Sequence, residues 1–217
     1  MLRTALLAIA LLAAVPAVAQ QKTAPAKPDA AFQKFIAELW PDAKAKGITR
    51  ANFDLAMRGV TPDQRVIKAT QRQPEYGKAV GAYVNDIVSP NRVAEGKRKA
   101  VEWDKTFDQV ERKYGVERWI LLSIWGMESS FGAAKDRWDV FRSLASLAYV
   151  KYRHPYFRNE LFVAMKLMQD GAIPRPKMVS SWAGAMGQTQ FMPSNVVDYA
   201  VTSDGKGIPD LWNDVPD

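Results

Sequence analysis

The chain has 217 residues, no cysteine, one histidine and a formal net charge of +7. The lack of cysteine excludes thiol nucleophiles, thiolate zinc sites and iron–sulfur clusters, and an exported fold must then be held by packing alone. No Gly-x-Ser-x-Gly sequence accompanies His154, so a serine hydrolase triad is not expected. The positive charge favours an anionic polymer or surface as partner. Because the basic residues are dispersed and form no basic–aromatic stripe, nucleic acid is not expected to bind.

The N-terminus has the pattern of a secretory signal peptide. A short basic start is followed by an apolar run from Ala5 to Val15 and by the small-x-small sequence Ala17-Val18-Ala19. This run is shorter than the about 20 residues that cross a bilayer, and no cysteine follows it for lipid attachment. We therefore predict a signal peptide over residues 1–19 and a flexible leader over residues 20–30, with no membrane span or lipid anchor in the mature protein.

Residues 31–217 show helical periodicity over most of their length, which predicts a mainly α fold with at most a short hairpin. The segment from Asp63 to Gln73 is a polar stretch between two prolines. The predicted helices, in chain order, are a stripe from Phe32 to Leu39 that Pro41 interrupts; Ile48 to Met57, with Thr49 as N-cap; a segment from Tyr83 to Val88, stopped by Ser89-Pro90; Asn91 to Tyr114, ended by Gly115; Val116 to Gly132; Ser143 to Tyr152; and Tyr156 to Gln169, closed by Gly171.

The helix predicted from Val116 to Gly132 carries a glutamate, Glu128, with apolar neighbours. Side chains three or four positions apart share a helix face. The positions that share a face with Glu128 are Ile124, Trp125, Phe131 and Gly132. A carboxyl group in such surroundings, without a base within helical reach, is expected to keep its proton to a higher pH than usual. A general acid needs this property, so Glu128 is a candidate acid; the alternative is a solvated glutamate on a helix face.

A second stretch, residues 180–194, breaks the helical pattern without the composition of a linker. Its sequence is Ser-Ser-Trp-Ala-Gly-Ala-Met-Gly-Gln-Thr-Gln-Phe-Met-Pro-Ser. Small residues let a backbone approach a ligand closely. Aromatic planes and amide side chains, here Trp182, Phe191, Gln188 and Gln190, together suit sugar rings and N-acetyl groups. The alternative is a tight contact between helices, built from alanine and glycine.

Together the two stretches resemble one known family. Trp-Gly-Met-Glu-Ser-Ser-Phe-Gly at residues 125–132, followed by residues 180–194, is similar to the lytic murein transglycosylase B family, which comprises exported bacterial enzymes that cut peptidoglycan glycan strands. The resemblance runs from about Phe32 to the C-terminus. It implies a lysozyme-like, α-rich catalytic domain over residues 31–217 with an additional helical lobe, located in the periplasm.

The resemblance also implies roles for individual residues. Glu128 matches the single catalytic acid/base, Ser181 and Gln190 match residues that line the cleft around the saccharides, and Met186 of the same motif joins this substrate-binding set. Arg158 lies in a segment that borders the cleft and matches a contact to the peptide stem. The family cleaves the β-1,4 bond between N-acetylmuramic acid and N-acetylglucosamine without adding water, and leaves a 1,6-anhydro ring on the muramyl product.

One carboxylate suffices for such a reaction, whereas a common glycosidase needs two. The glutamate protonates the leaving oxygen and then removes the proton from the sugar's own C6 hydroxyl, which replaces water as nucleophile. Asp136 and Asp139, beyond the helix, are interpreted as loop or cap residues. Two alternatives stay open, a peptidoglycan-binding protein that does not cut and a hydrolytic muramidase.

The sequence departs from the family at a calcium loop that resembles an EF-hand. Such loops need oxygen ligands at their first, third and fifth positions, which are Thr202, Asp204 and Lys206 here. Because an ammonium group offers no lone pair, we expect a degenerate loop, with Asp210 further along, that binds no metal. No cofactor is expected to be required.

A second departure concerns the C-terminus. Family members continue with further helices that close the catalytic domain, so the domain is expected to be incomplete at Asp217. Apolar positions around Tyr149, Phe162 and Leu167 are then expected to lack their packing partners.

Overall fold

The structure, a computed structural model, describes residues 29–71, 78–135 and 138–217. The predicted signal peptide and most of the predicted leader lie outside the described residues. The last leader residues do not continue the leader, because Asp29 caps the first helix, which begins at Ala30. Within the described ranges the helices are α1 Ala30–Ala45, α2 Arg50–Met57, α3 Gln64–Ala69, α4 Val80–Ile87, α5 Pro90–Glu102, α6 Asp104–Tyr114, α7 Arg118–Ser129, α8 Val140–Tyr149, α9 Tyr156–Gln169 and α10 Pro193–Tyr199.

The prediction of a mainly α fold is confirmed. Two short strands, β1 Trp138–Asp139 and β2 Val179–Ser180, pair antiparallel, with Trp138 opposite Ser180. They are distant in sequence and do not form a hairpin. None of the helices described here is long and apolar enough to span a lipid bilayer.

Polar caps set the start of several helices. The side chain of Thr49 accepts from the N–H of Asn52 at the start of α2, as the sequence predicts. The side chains of Asp29, Asp63, Ser89 and Asp139 do the same for α1, α3, α5 and α8. Each such cap satisfies a backbone donor that has no partner inside its helix.

Several predicted boundaries are shifted by one to three residues, as in α7, which ends at Ser129 and not at Gly132, and three differences are larger. Pro41 does not end α1, although it cannot donate the backbone hydrogen bond expected at its position. The helix continues because Leu39 and Ala43, four positions apart on one face, are buried on either side of it. The polar stretch after Pro62 contains α3, which Asp63 caps. The long helix predicted up to Tyr114 is divided at Trp103 into α5 and α6, and both helices then pack against α7.

The larger of two apolar clusters involves α1, α2, α3, α8, α9 and α10, with α8 and α9 packed side by side at its centre. Its fully buried side chains include Phe32, Leu39, Phe141, Leu144, Leu147, Leu161, Phe162 and Met165. Complete burial of a side chain of this kind stabilises the fold by about 1.5–3 kcal/mol.

The smaller cluster joins α5, α6 and α7 and contains Ala100, Phe107, Leu122 and Phe131. Trp103, Leu121 and Trp125 pack against it from the side. The helix that carries Glu128 therefore belongs to this cluster, while residues 182–183 and 186 of the second stretch belong to the larger one.

The expectation that Tyr149, Phe162 and Leu167 lack partners is wrong. Phe162 and Leu167 are buried in the larger cluster, and the ring of Tyr149 packs edge-on against Phe32 at 5.1 Å. Exposed apolar side chains are found on several other elements, including α4 and α7. With α5 these helices form an apolar groove of about 260 Å³ whose lining includes Trp119 and Met127, both more than half exposed.

Candidate active site

Glu128 lies in the last turn of α7 and is exposed to solvent. Ile124 and Ile120, one and two turns earlier on its face, are 45% and 51% exposed. Of the predicted apolar neighbours, Trp125 and Phe131 pack in the smaller cluster, whereas Ile124 is exposed. In the described residues the carboxylate therefore lies on a solvated helix face, which is the alternative that the sequence left open. Within those residues the Glu128 carboxylate has no hydrogen bond or ion pair.

The end of α7 is sharply turned. Ser130 and Phe131 have φ of +50° and +57°, a left-handed conformation that is rare outside glycine and costs of order 1–3 kcal/mol at each residue. The turn folds the ring of Phe131 back under the helix, where a Cβ on Gly126 would lie 2.6 Å from it. The Ser129 hydroxyl accepts from the N–H of Gly132 at 3.0 Å and closes the turn. The backbone directly after Glu128 is thus fixed by packing and hydrogen bonds.

The second stretch forms two tight turns. In the first, the N–H of Ser181 donates to the carbonyl of Ala185 at 2.7 Å, and the Ser181 hydroxyl accepts from the N–H of Ala185 at 3.2 Å. In the second, Met186 and Phe191 exchange backbone hydrogen bonds, and the Gln190 amide donates to the carbonyl of Gly187 at 3.0 Å. The predicted substrate-binding residues Ser181 and Gln190 therefore brace their own loop, and Met186 is fully buried beneath it.

The glycines of this loop serve close packing. A Cβ on Gly184 would lie 2.4 Å from Leu144, and one on Gly187 would lie 2.5 Å from the backbone oxygen of Leu211. Trp182 and Phe191 are partly buried against the larger cluster. At these positions the structure favours the tight-contact interpretation of the stretch, although the contact is to a helix and a loop rather than between two helices.

Gln188, for which the sequence indicates no role beyond that of one of two amide side chains, connects the two stretches. The indole N–H of Trp125 donates to Gln188 Oε1 at 2.8 Å. Gln188 Nε2 in turn donates to the carbonyl of Trp212 at 3.2 Å, and its backbone N–H donates to the carbonyl of Leu211 at 2.8 Å. No local pattern signals a bond between side chains 63 positions apart.

Arg158 is engaged away from these loops. Its guanidinium forms an ion pair with Asp42 of α1 and lies 5.0 Å from the centre of the Phe162 ring. No contact within the described residues brings Arg158 together with Glu128 or the second stretch. Its predicted contact to a peptide stem stays a prediction.

Two other carboxylates near the motifs have structural partners. Glu160, whose role no sequence pattern indicates, is buried in α9. Its carboxylate accepts from the N–H and the hydroxyl of Ser194, at 2.9 and 2.7 Å. It thereby anchors the start of α10, directly after the second stretch. Asp139 caps α8 and pairs with Arg175 at 2.6 Å, which confirms its interpretation as a cap residue. Asp136 lies outside the described residues.

The loop from Thr202 to Asn213 is organised by hydrogen bonds to backbone N–H groups. Asp204 accepts from Lys206 at 2.9 Å, and Asp210 accepts from Trp212 and Asn213, both at 3.2 Å. The described ranges contain no group of three or more His, Cys, Asp or Glu side chains placed to hold a metal ion. With Lys206 at the fifth position, the donor set does not fit calcium.

Residues 31–217 match the family described as the transglycosylase SLT domain. The chain belongs to this family. A curated relative, the membrane-bound lytic murein transglycosylase B of Escherichia coli (strain K12), is 32% identical over 137 residues, which make up 61% of this chain and 37% of the relative. The resemblance to lytic murein transglycosylases found in the sequence is confirmed.

Solved structures of transglycosylases share the fold of this SLT domain. SltB3 from Pseudomonas aeruginosa, solved in complex with NAG-NAM-pentapeptide, has a TM-score of 0.79 at 38% identity, over 86% of this chain and 50% of that one. SltB1 from the same organism has a TM-score of 0.75 at 29% identity, over 86% of this chain and 62% of that one. The SLT domain described here thus spans about half the length of SltB3.

Proposed function

We propose that this SLT domain is a lytic transglycosylase, which cleaves the β-1,4 bond between N-acetylmuramic acid and N-acetylglucosamine of peptidoglycan and leaves a 1,6-anhydromuramyl end. The observation that carries the proposal is an exposed carboxylate, Glu128, at a fixed helix end within a chain that matches the family over residues 31–217. SltB3 was solved with NAG-NAM-pentapeptide and with NAG-anhNAM-pentapeptide. The two ligands differ in whether the NAM sugar is in its anhydro form, which is the change that the proposed reaction makes.

In the proposed reaction Glu128 acts twice. Its carboxyl group donates a proton to the glycosidic oxygen while the bond from that oxygen to the muramyl C1 breaks. The C6 hydroxyl oxygen of the same sugar bonds to C1, and its proton passes to the Glu128 carboxylate, which restores the acid.

The same geometry disfavours hydrolysis with two carboxylates. Asp139 is held by the α8 N-terminus and Arg175, and Glu160 is buried against Ser194, so neither faces a shared cleft with Glu128 through any described contact. Capture of the internal hydroxyl needs no second carboxylate. A protein that binds glycan without cutting it remains the second candidate, since the SLT domain spans only part of its relatives.

Two further parts of the proposal concern location and cofactors. The N-terminal pattern of residues 1–19 supports export to the periplasm, where the glycan strands lie. Lys206 in the degenerate loop supports a reaction that does not require calcium or another cofactor.

The test is digestion of purified sacculi, followed by mass spectrometry of the released fragments. Anhydromuramyl ends support the proposal, reducing ends would establish a muramidase, and binding without release would establish a binding protein. Glu128→Gln should lower the rate by about 10²–10⁴ or more, because the amide cannot carry the proton. Glu117→Gln is the matched control, since Glu117 is an exposed glutamate at the other end of α7 whose side chain makes no capping bond. Near wild-type release by Glu128→Gln would refute the assignment.

A further inference from the structure

We propose that Gln188 is a positioning residue, whose amide fixes the end of α7, and with it Glu128, against the second stretch. The proposal rests on the function proposed above for its catalytic consequence. The geometric part of the proposal, that Gln188 fixes the end of α7 against the second stretch, does not depend on that function, and separate experiments test the two parts.

The Trp125–Gln188 hydrogen bond lies between the two apolar clusters. Trp125 packs against the smaller cluster, with its ring edge-on to Phe131 at 5.6 Å. Gln188 follows buried Met186 of the larger cluster by two residues. The hydrogen bond of 2.8 Å therefore crosses from one apolar cluster to the other, and it links the helix of Glu128 to the loop of Ser181 and Gln190.

The Gln188 side chain makes a hydrogen bond with each of its two polar atoms. Its oxygen accepts from an indole N–H and its nitrogen donates to the carbonyl of Trp212, so only one orientation of the amide satisfies both partners. A leucine or methionine supplies neither bond, and a glutamate supplies only the acceptor. The residue type is thus matched to this position.

The Gln188 amide also packs closely against the segment that follows α7. A Cβ on Gly132 would lie 2.2 Å from Gln188 Oε1 and 2.7 Å from its Cδ, so the Gly132 backbone lies directly against the amide. Gln188 thereby contacts the chain on both sides of Glu128, at Trp125 within α7 and at Gly132 just beyond its end. A change in this side chain must be accommodated by the segment that carries the proposed acid.

The expected consequence is a loss of turnover rather than of glycan affinity. Misplacing a reacting group by about 1 Å can cost about 10²-fold in rate. Gln188→Met keeps the length of the side chain and removes both hydrogen bonds. We expect it to lower kcat at least about tenfold while KM changes less than about threefold.

A double-mutant cycle separates this role from general support of the fold. Trp125→Phe removes the indole N–H but keeps an aromatic ring, and it should lower kcat as Gln188→Met does. The double variant should be little worse than Gln188→Met alone, because both single changes remove the Trp125–Gln188 hydrogen bond. Gln188→Glu should recover part of the rate, since its carboxylate accepts from the indole. Gln33→Met, the same change at an exposed position on α1, is the control and should leave kcat unchanged.

Nuclear magnetic resonance tests the geometric part without catalysis. In the isotope-labelled chain, Gln188→Met should shift the indole N–H signal of Trp125 and the backbone amides of residues 128–132, whereas Gln33→Met should not. Unchanged signals would overturn the proposal even if the chain cuts no glycan. If the wild-type chain is active, a kcat of Gln188→Met within twofold of wild type, or additive losses in the cycle, would overturn its catalytic part. An inactive wild-type chain with the expected shifts would support the geometric part and count against the proposed function alone.

Discussion

Replacing Gly187 with alanine should destabilise the fold through a contact that can be located atom by atom. Gly187 has φ of +71°, and a Cβ there would lie 2.5 Å from both the Cβ and the backbone oxygen of Leu211. A left-handed conformation costs a residue with a side chain roughly 1–2 kcal/mol. Displacing Leu211 adds roughly 1–3 kcal/mol, as overpacking usually does. The free energy of unfolding should therefore fall by about 2–5 kcal/mol.

Gly205 offers a matched control for this experiment. Its φ is +72°, but a Cβ there would meet nothing within 4 Å. Gly205→Ala should incur the conformational cost alone, so the difference between the two variants measures the Leu211 contact. At roughly 2–4 °C per kcal/mol for a domain of this size, the gap in Tm should be about 2–12 °C, measured by circular dichroism during heating. Equal losses in the two variants would refute the argument from close packing.

The remaining predictions concern pH and calcium. The side-chain hydrogen bond from Arg65 holds the pKa of Asp63 below its usual 3.8, so ionised Asp63 stabilises the fold above that pH and the stabilisation is lost as the pH falls through the lowered pKa. Asp63→Asn should therefore lower Tm at neutral pH and by less in acid, and a pH-independent difference would contradict this. Low millimolar calcium should barely raise Tm, because a native-state ligand stabilises only as its concentration exceeds Kd. Lys206→Asp should create a calcium-dependent rise in Tm; a marked rise in the unmutated chain would show that the loop binds calcium as it stands.

Local patterns were enough to predict most of the helices. The bounds of α9, Tyr156–Gln169, agree with those predicted, because Gly171 just beyond it adopts φ of +77° and ends the helical pattern. Thr49 caps α2 for an equally local reason. The break at Trp103 was not predictable, since the sequence on either side is helical and the division follows from packing of α5 and α6 on α7.

The sequence predicts that Glu128 lies on a helix, but it does not predict the surroundings of that side chain. Periodicity placed Glu128 on a helix, yet the exposure of its face depends on how α7 packs, which no local pattern contains. The partners of Gln188 and Glu160 lie 63 and 34 positions away, so their roles appear only in the folded chain. The sequence does not indicate either role, because both side chains act through hydrogen bonds to residues far away in the chain.

The division of the apolar interior into two clusters bears on how a long polymer could enter. Buried apolar contacts largely set the free energy of local opening, and the smaller cluster buries far fewer side chains than the larger one in the described part of the chain. On this basis, an opening confined to α5, α6 and α7 is expected to cost less free energy than global unfolding. An opening of this kind would part Glu128 from the loop of Ser181 and Gln190 and widen the space between them. Under the proposed function, this opening would make room for a glycan strand and closure would reassemble the site, and the Trp125–Gln188 hydrogen bond would break and re-form with each cycle.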